Sequence, residues 1–171
     1  MDNLALSQGG SFAFASGALA NSATAGNIQN TVAIPFTIDG VFVTAKAITA
    51  NIPFVVALTP SFGAVVNGSF TGSAVTAGAV SGSTRMYGVY MNAAGVVSFM
   101  PGQIVDTVAL GARTAPLQFP ANRKGLVCCG MVRIAVTAGT TFIPGTTLLN
   151  AAGVTTTYLN LAAIPAEPLL A

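Results

Sequence analysis

Charge is missing from most of this chain. Nothing ionises between Asp2 and Asp39, between Lys46 and Arg85, or between Arg133 and Glu167. The whole sequence holds six basic residues, four acidic ones and no histidine, so 6% is charged, against about 25% in an average soluble domain. An amphipathic helix builds its outer face from Glu, Lys, Gln and Arg, and here those residues are scarce. Apolar residues also rarely recur at helical spacing over the roughly eleven positions that a convincing helix needs. The chain is therefore expected to be all-β, with a surface made of Thr, Ser, Asn, Gly and Ala.

Mean hydropathy is +0.74 and 53% of residues are hydrophobic, values that taken alone point to a membrane protein. The arrangement points elsewhere. The longest unbroken aliphatic or aromatic run, Phe54 to Leu58, is five residues, whereas a spanning helix needs about 20. A transmembrane barrel wants aromatic girdles at both rims, which three Tyr, ten Phe and no Trp supply poorly. The start, Met1-Asp2-Asn3-Leu4, lacks the basic and compact apolar regions of a signal peptide. No membrane partner and no export are expected, and the 171 residues suit one domain with a real core.

Strand and turn signals fill the middle of the chain. In Pro35-Phe36-Thr37-Ile38-Asp39-Gly40-Val41-Phe42-Val43-Thr44 an Asp-Gly pair sits between β-formers, a strong hairpin signature because both turn positions need positive φ. Pairing across it puts Phe36, Ile38, Val41 and Val43 on one face, with Thr37 and Phe42 on the other. Asn67-Gly68 predicts a second hairpin that sets Val65 beside Phe70. The pentapeptide Asn-Ala-Ala-Gly-Val occurs at Asn92 to Val96 and again at Asn150 to Val154. Asn opening a turn and Gly in the left-handed position make each of these a hairpin loop. Leu126 to Val136 reads as a central strand with one wet or contacted face, its period sending Cys128 to the Val132 side and Cys129 to the Arg133 side.

The ends read differently. Residues 1–30 are short-chained and Gly-rich and are expected to form an extended arm, ordered on a neighbour. Residues 31–162 form the β-sandwich domain. Residues 163–171, with Ile164-Pro165 and Glu167-Pro168, make an extended tail. Gly68 to Thr84 reads as a long loop or an edge strand.

Little chemistry is available. Paired-carboxylate catalysis needs two acids within several ångströms, and the acids are Asp2, Asp39, Asp106 and Glu167, of which Asp39 belongs to its turn and two lie in the expected arm and tail. Nucleophilic Ser or Cys wants a neighbouring base, usually His, and Lys46 stands singly. Two adjacent cysteines cannot supply a zinc site, and neighbours in a strand point to opposite faces, so Cys128 and Cys129 read as free structural thiols. No phosphate-binding glycine pattern is present. Asn67-Gly68-Ser69 matches a glycosylation sequon but is explained by turn geometry. Arg123-Lys124 is too sparse a basic element for nucleic acid. Catalytic, metal and cofactor-binding residues are accordingly expected to be absent, and the chain is read as a non-enzyme with no cofactor and no small-molecule substrate.

Several stretches together resemble a known kind of protein: Arg85-Met86-Tyr87-Gly88-Val89-Tyr90-Met91-Asn92-Ala93-Ala94-Gly95-Val96-Val97-Ser98, Phe119-Pro120-Ala121-Asn122, Gly130-Met131-Val132-Arg133-Ile134 and Thr141-Phe142-Ile143-Pro144-Gly145-Thr146-Thr147. With Phe36-Thr37-Ile38-Asp39-Gly40-Val41-Phe42 they are similar to the head decoration, or cement, proteins of tailed bacteriophages. The resemblance spans about residues 32 to 160 and is one of cadence, without a diagnostic motif. It implies an antiparallel, jelly-roll-like sandwich that forms a homo-dimer or homo-trimer, sits on the outer capsid surface of the virion after synthesis in the host cytoplasm, and clamps the major capsid protein.

Clamping suits a surface that loses few ion-solvation contacts when it docks, and many copies multiply modest contact energies. Leu4, Leu6, Phe12 and Phe14 are the expected anchors of the arm. Arg85, Arg123 and Lys124 are the expected polar contacts that fix register on the capsid or on another subunit. Two other readings of such a chain are a tail- or fibre-associated virion protein and a carbohydrate-binding β-sandwich; the missing Trp weighs against the second.

Overall fold

The computed structural model describes residues 10–22, 26–30, 32–46, 52–53, 56–58, 66–68, 75–76, 81–120 and 124–160. In chain order the strands are β1 (Phe12–Ala13), β2 (Leu19–Asn21), β3 (Asn27–Asn30), β4 (Ile34–Ile38), β5 (Val41–Lys46), β6 (Ile52–Pro53), β7 (Val56–Leu58), β8 (Val66–Gly68), β9 (Val75–Thr76), β10 (Ser83–Met91), β11 (Val97–Asp106), β12 (Val127–Val136), β13 (Thr141–Phe142) and β14 (Val154–Leu159). Between β11 and β12 lies one helical turn, α1 (Thr107–Gly111). Among the described residues the fold is mostly β, consistent with an all-β chain, and all of its strand pairing is antiparallel except β7 with β11.

A six-stranded sheet in the order β14-β12-β10-β11-β7-β8 forms the centre. β10 and β11 are joined by the first Asn-Ala-Ala-Gly-Val loop, with Met91 opposite Val97. Asn92 organises this loop: its Oδ1 accepts from the amides of Ala94 at 3.0 Å and Val96 at 2.9 Å. The side chain thus does the work of a turn backbone, as the Asn position predicts.

β10 is buried along its whole length, and its alternate residues serve two cores. Tyr87, Val89 and Met91 face a first core shared with Ala13, Leu19, Ile28, Ile34, Phe36 and Phe142 from the small sheets. Met86 and Tyr90 face a second core with Met100, Val105, Cys128 and Met131, closed by Leu110 and Leu117 of the strap that follows β11. Asp106 starts that strap by capping α1, its Oδ1 accepting from the Val108 amide at 2.8 Å and the Ala109 amide at 3.2 Å.

Three expectations are corrected. The second Asn-Ala-Ala-Gly-Val copy closes no hairpin: residues 146–149 form no strand, and β14 pairs instead with β12, Met131 opposite Leu159 through Val136 opposite Val154. Pro144 and Gly145 turn the chain before it, where the amides of Thr146 and Thr147 both reach the Ile143 carbonyl. Asn67 and Gly68 are not a turn either. They lie within β8, opposite Ala57 and Val56 of β7, because a cross-strand partner has overridden the local turn preference.

The cysteine faces are the third correction. Cys128 belongs to the second core with Met131, and Cys129 to the first with Val132, the reverse of simple alternation. The register explains it: Val89 is opposite Gly130 but Tyr90 is opposite Cys128, so one residue bulges out of β12 and the phase flips. β12 is the central strand expected, but it has no continuous wet face. Only Arg133 and Ala135 along it are half-buried and the rest are buried.

The described part of the stretch expected to be an arm is built into the body. β1 pairs with β4, Phe12 opposite Thr37; β2 and β3 form a hairpin; Leu19 and Ile28 are core residues. The tail, 163–171, lies outside the described residues, as do Asp2 and Glu167.

Candidate functional surface

The β4–β5 hairpin takes the register its sequence predicts, with Phe36 opposite Val43, Thr37 opposite Phe42 and Ile38 opposite Val41. Asp39 and Gly40 have φ of 50° and 80°, the left-handed pair that this two-residue turn demands. One face carries Phe36 and Ile38 into the first core. The other is therefore turned away from the body, and it holds Phe42.

β1 docks on β4 so that Phe12 joins that outer face. The N-terminal strand is tied by the Phe14 amide to the Pro35 carbonyl at 2.9 Å and the Gly40 amide to the Gly10 carbonyl at 3.0 Å. Thr37 Oγ1 donates to the Gly10 carbonyl at 2.9 Å, and Ser11 Oγ accepts from the Asp39 amide at 2.9 Å. These bonds hold three aromatic rings in a row. Phe12 meets Phe14 edge-on with centroids 4.9 Å apart, and Phe14 lies 6.0 Å from Phe42.

The row is open to solvent. Phe14 is 52% exposed and Phe42 64%, while Phe12 is half-buried; Val41, on the Ile38 side of the hairpin tip, is 68% exposed. Scattered apolar side chains on a surface need no explanation, but contiguous ones mark interaction sites. Each such side chain stabilises a contact by about 1.5–3 kcal/mol when fully covered. Asp39 stands exposed at the tip of the same hairpin.

The residues expected to make contacts meet four different fates. Phe12 and Phe14 come together with Phe42 in the patch. Leu4, Leu6 and Arg123 lie outside the described residues, and Lys124 is exposed in the turn before β12. Arg85 is instead an interior residue, 9% exposed. Its Nε donates to the Gly102 carbonyl at 2.7 Å and its guanidinium lies 5.8 Å from the Tyr87 ring centroid. Burial lowers the pKa of Arg85 and raises that of Tyr87. Placed on the buried strand β10, Arg85 ties that strand to Gly102 of β11.

Phe42 and Val41 were missing from the expected contact set, although the hairpin register already put Phe42 opposite Thr37, off the core face. The signal was an aromatic residue on the outer side of a hairpin.

Among the described residues the thiols and Tyr158 are withdrawn from solvent in part or in full. Both cysteines are free and buried. Burial pushes the Cys128 thiol up to about 12, and burial together with Cys128 raises Cys129 further from its ordinary value. Burial also takes Tyr158 to about 12; its hydroxyl donates to Asn21 Oδ1. Asp106 is held below the usual carboxylate range, first by the Ser81 hydroxyl and then by the Ala109 and Val108 amides. Among the described residues no three of His, Cys, Asp and Glu cluster as a metal site would need, and no helix is long and apolar enough to cross a membrane. Comparison with protein-family models, curated proteins and solved structures gave no match.

Proposed function

We propose that this protein is a structural component of a tailed-phage virion, a jelly-roll-like antiparallel sandwich that decorates the outside of the capsid and stabilises contacts between major capsid subunits. The observation that carries the reading is the open aromatic row Phe12, Phe14 and Phe42 on a chain so short of charge. A monomer with few ions and an uncovered apolar patch is poorly protected against association. In a particle, that same surface is where neighbours sit.

The proportions suit repetitive assembly. A patch of a few side chains falls well short of the roughly 800 Å² per partner of a standard stable interface. Such a contact becomes firm only when several are made at once, as on a lattice that presents every site at fixed spacing. The cadence of residues 32–160 supports the phage assignment, and the aromatic row supplies the surface for contacts.

The test is reconstitution. Capsids stripped of this protein should recover resistance to heat when the purified chain is added back, and labelling should place it on the head exterior. Protein that leaves the shells as fragile as before, or that labels only tails, would overturn the reading.

A further inference from the structure

The hairpin patch has a counterpart on the other side of the molecule. The layer that carries Phe14, Val41 and Phe42 meets the central sheet through the first core, whereas the strap after β11 covers the second core on the opposite face. On the strap Val108 is 68% exposed, and Arg113, just past the end of α1, is exposed as well. These two open apolar spots, among several exposed apolar side chains that include Val96, Ile104 and Leu148, stand on opposite faces of the central sheet. One is accompanied by a carboxylate, Asp39, and the other by a guanidinium.

This charge pattern selects among ways of covering the patch with a second copy. A two-fold contact of patch against patch joins two surfaces that each carry a carboxylate, and like charges within one contact destabilise it. A contact of patch against strap sets Asp39 toward Arg113 and the aromatic row against Val108. We propose that copies of this chain associate head to tail, the β4–β5 hairpin patch of one seated on the α1 strap of the next. Contacts of this kind use two different surfaces per copy, so they close into rings when the rotation between neighbours allows. A closed ring gives each copy two contacts in place of one, which offsets the small size of either. The proposal deepens the virion reading by naming what covers the patch: another copy, with the shell contacting other parts of the ring.

Complementing variants test it in solution, without capsids. Phe42→Ser removes the patch anchor, and Val108→Asp spoils the strap and sets a second carboxylate against Asp39. Both positions are exposed, so each variant should fold, as circular dichroism would check. At a concentration where the wild type is oligomeric by sedimentation velocity, each variant alone should run as a single chain of 17.0 kDa. An equimolar mixture has one contact where a ring gives each copy two, so it is concentrated to about 1 mM, where a single weak contact fills; there it should give a species of about twice that mass and nothing larger, since the one intact strap meets the one intact patch and both free ends are spoiled. A monomeric wild type, a Val108→Asp protein that still self-associates, or a mixture that stays monomeric would each overturn head-to-tail assembly. Capsid add-back is scored apart from this: oligomers that form but ignore stripped shells sink the virion reading and leave the contact standing.

Discussion

Tyr90 shows how one residue without a side chain determines the position of a large one with many contacts. Residues 88 and 90 of β10 share a face, and the Tyr90 ring lies over Gly88 so closely that a Cβ there would stand 2.3 Å from Cε2. The far end of the ring is fixed too, its hydroxyl donating to the buried Pro120 carbonyl at 2.9 Å. Gly88→Ala must therefore displace the ring, and with it the bond that ties the strap to the sheet. We expect a loss of about 2–4 kcal/mol, from overpacking plus an unpaired buried carbonyl, read as a lower urea midpoint at unchanged slope. Tyr90→Phe keeps the ring and should cost only about 1–2 kcal/mol. A Gly88→Ala protein as stable as the wild type would show that the ring is not seated on the glycine.

At the level of elements, the local signals succeeded where a turn is made by its own residues. Asp39-Gly40 and Asn92 to Val96 carry their geometry with them: both hairpins formed, the first in the expected register. The signals failed where a partner strand decides. The second Asn-Ala-Ala-Gly-Val copy has the same local chemistry, yet the strand after it found β12 and not the residues before it. The bulge in β12 was illegible for the same reason: alternation can be read along one strand, but the slip arises against Val89 and Tyr90 of its neighbour. Gly130 is the residue that permits it, with φ of 145° and a would-be Cβ 2.6 Å from Leu19 Cδ1 and 2.9 Å from the Leu159 carbonyl oxygen. Gly130→Ala should thus combine backbone strain with a clash and cost about 2–4 kcal/mol. Gly40→Ala, with φ of 80° and nothing within 4 Å, meets the strain alone and should cost about 1 kcal/mol. Equal losses for the two in urea unfolding would mean that the bulge is not packed as described. The candidate surface was half legible: Phe12 and Phe14 stood out as the large residues of a small-residue segment, but only the pairing of β1 with β4 brings them beside Phe42.

For the whole molecule, the scarcity of ions fixes which force holds an assembly together. Six basic and four acidic residues leave a net charge of +2, and the proposed contact between copies includes a single opposite pair, Asp39 and Arg113, both exposed. An exposed pair contributes about 0–1 kcal/mol and is screened beyond roughly 10 Å at 0.1 M salt. The rest is apolar burial, which salt screening leaves untouched and which excluded salts such as sulfate strengthen. Raising NaCl from about 0.05 to 0.5 M should accordingly weaken each contact less than about tenfold, since removing its pair entirely forfeits no more than about 1 kcal/mol per contact. Sulfate at the same ionic strength should tighten it, and cooling should loosen it because apolar stabilisation fades in the cold. Sedimentation velocity across a salt series distinguishes this from a charge-driven assembly. A steep fall in oligomer with NaCl, indifferent to the choice of anion, would assign the contact to its few ions and remove the aromatic row from its centre.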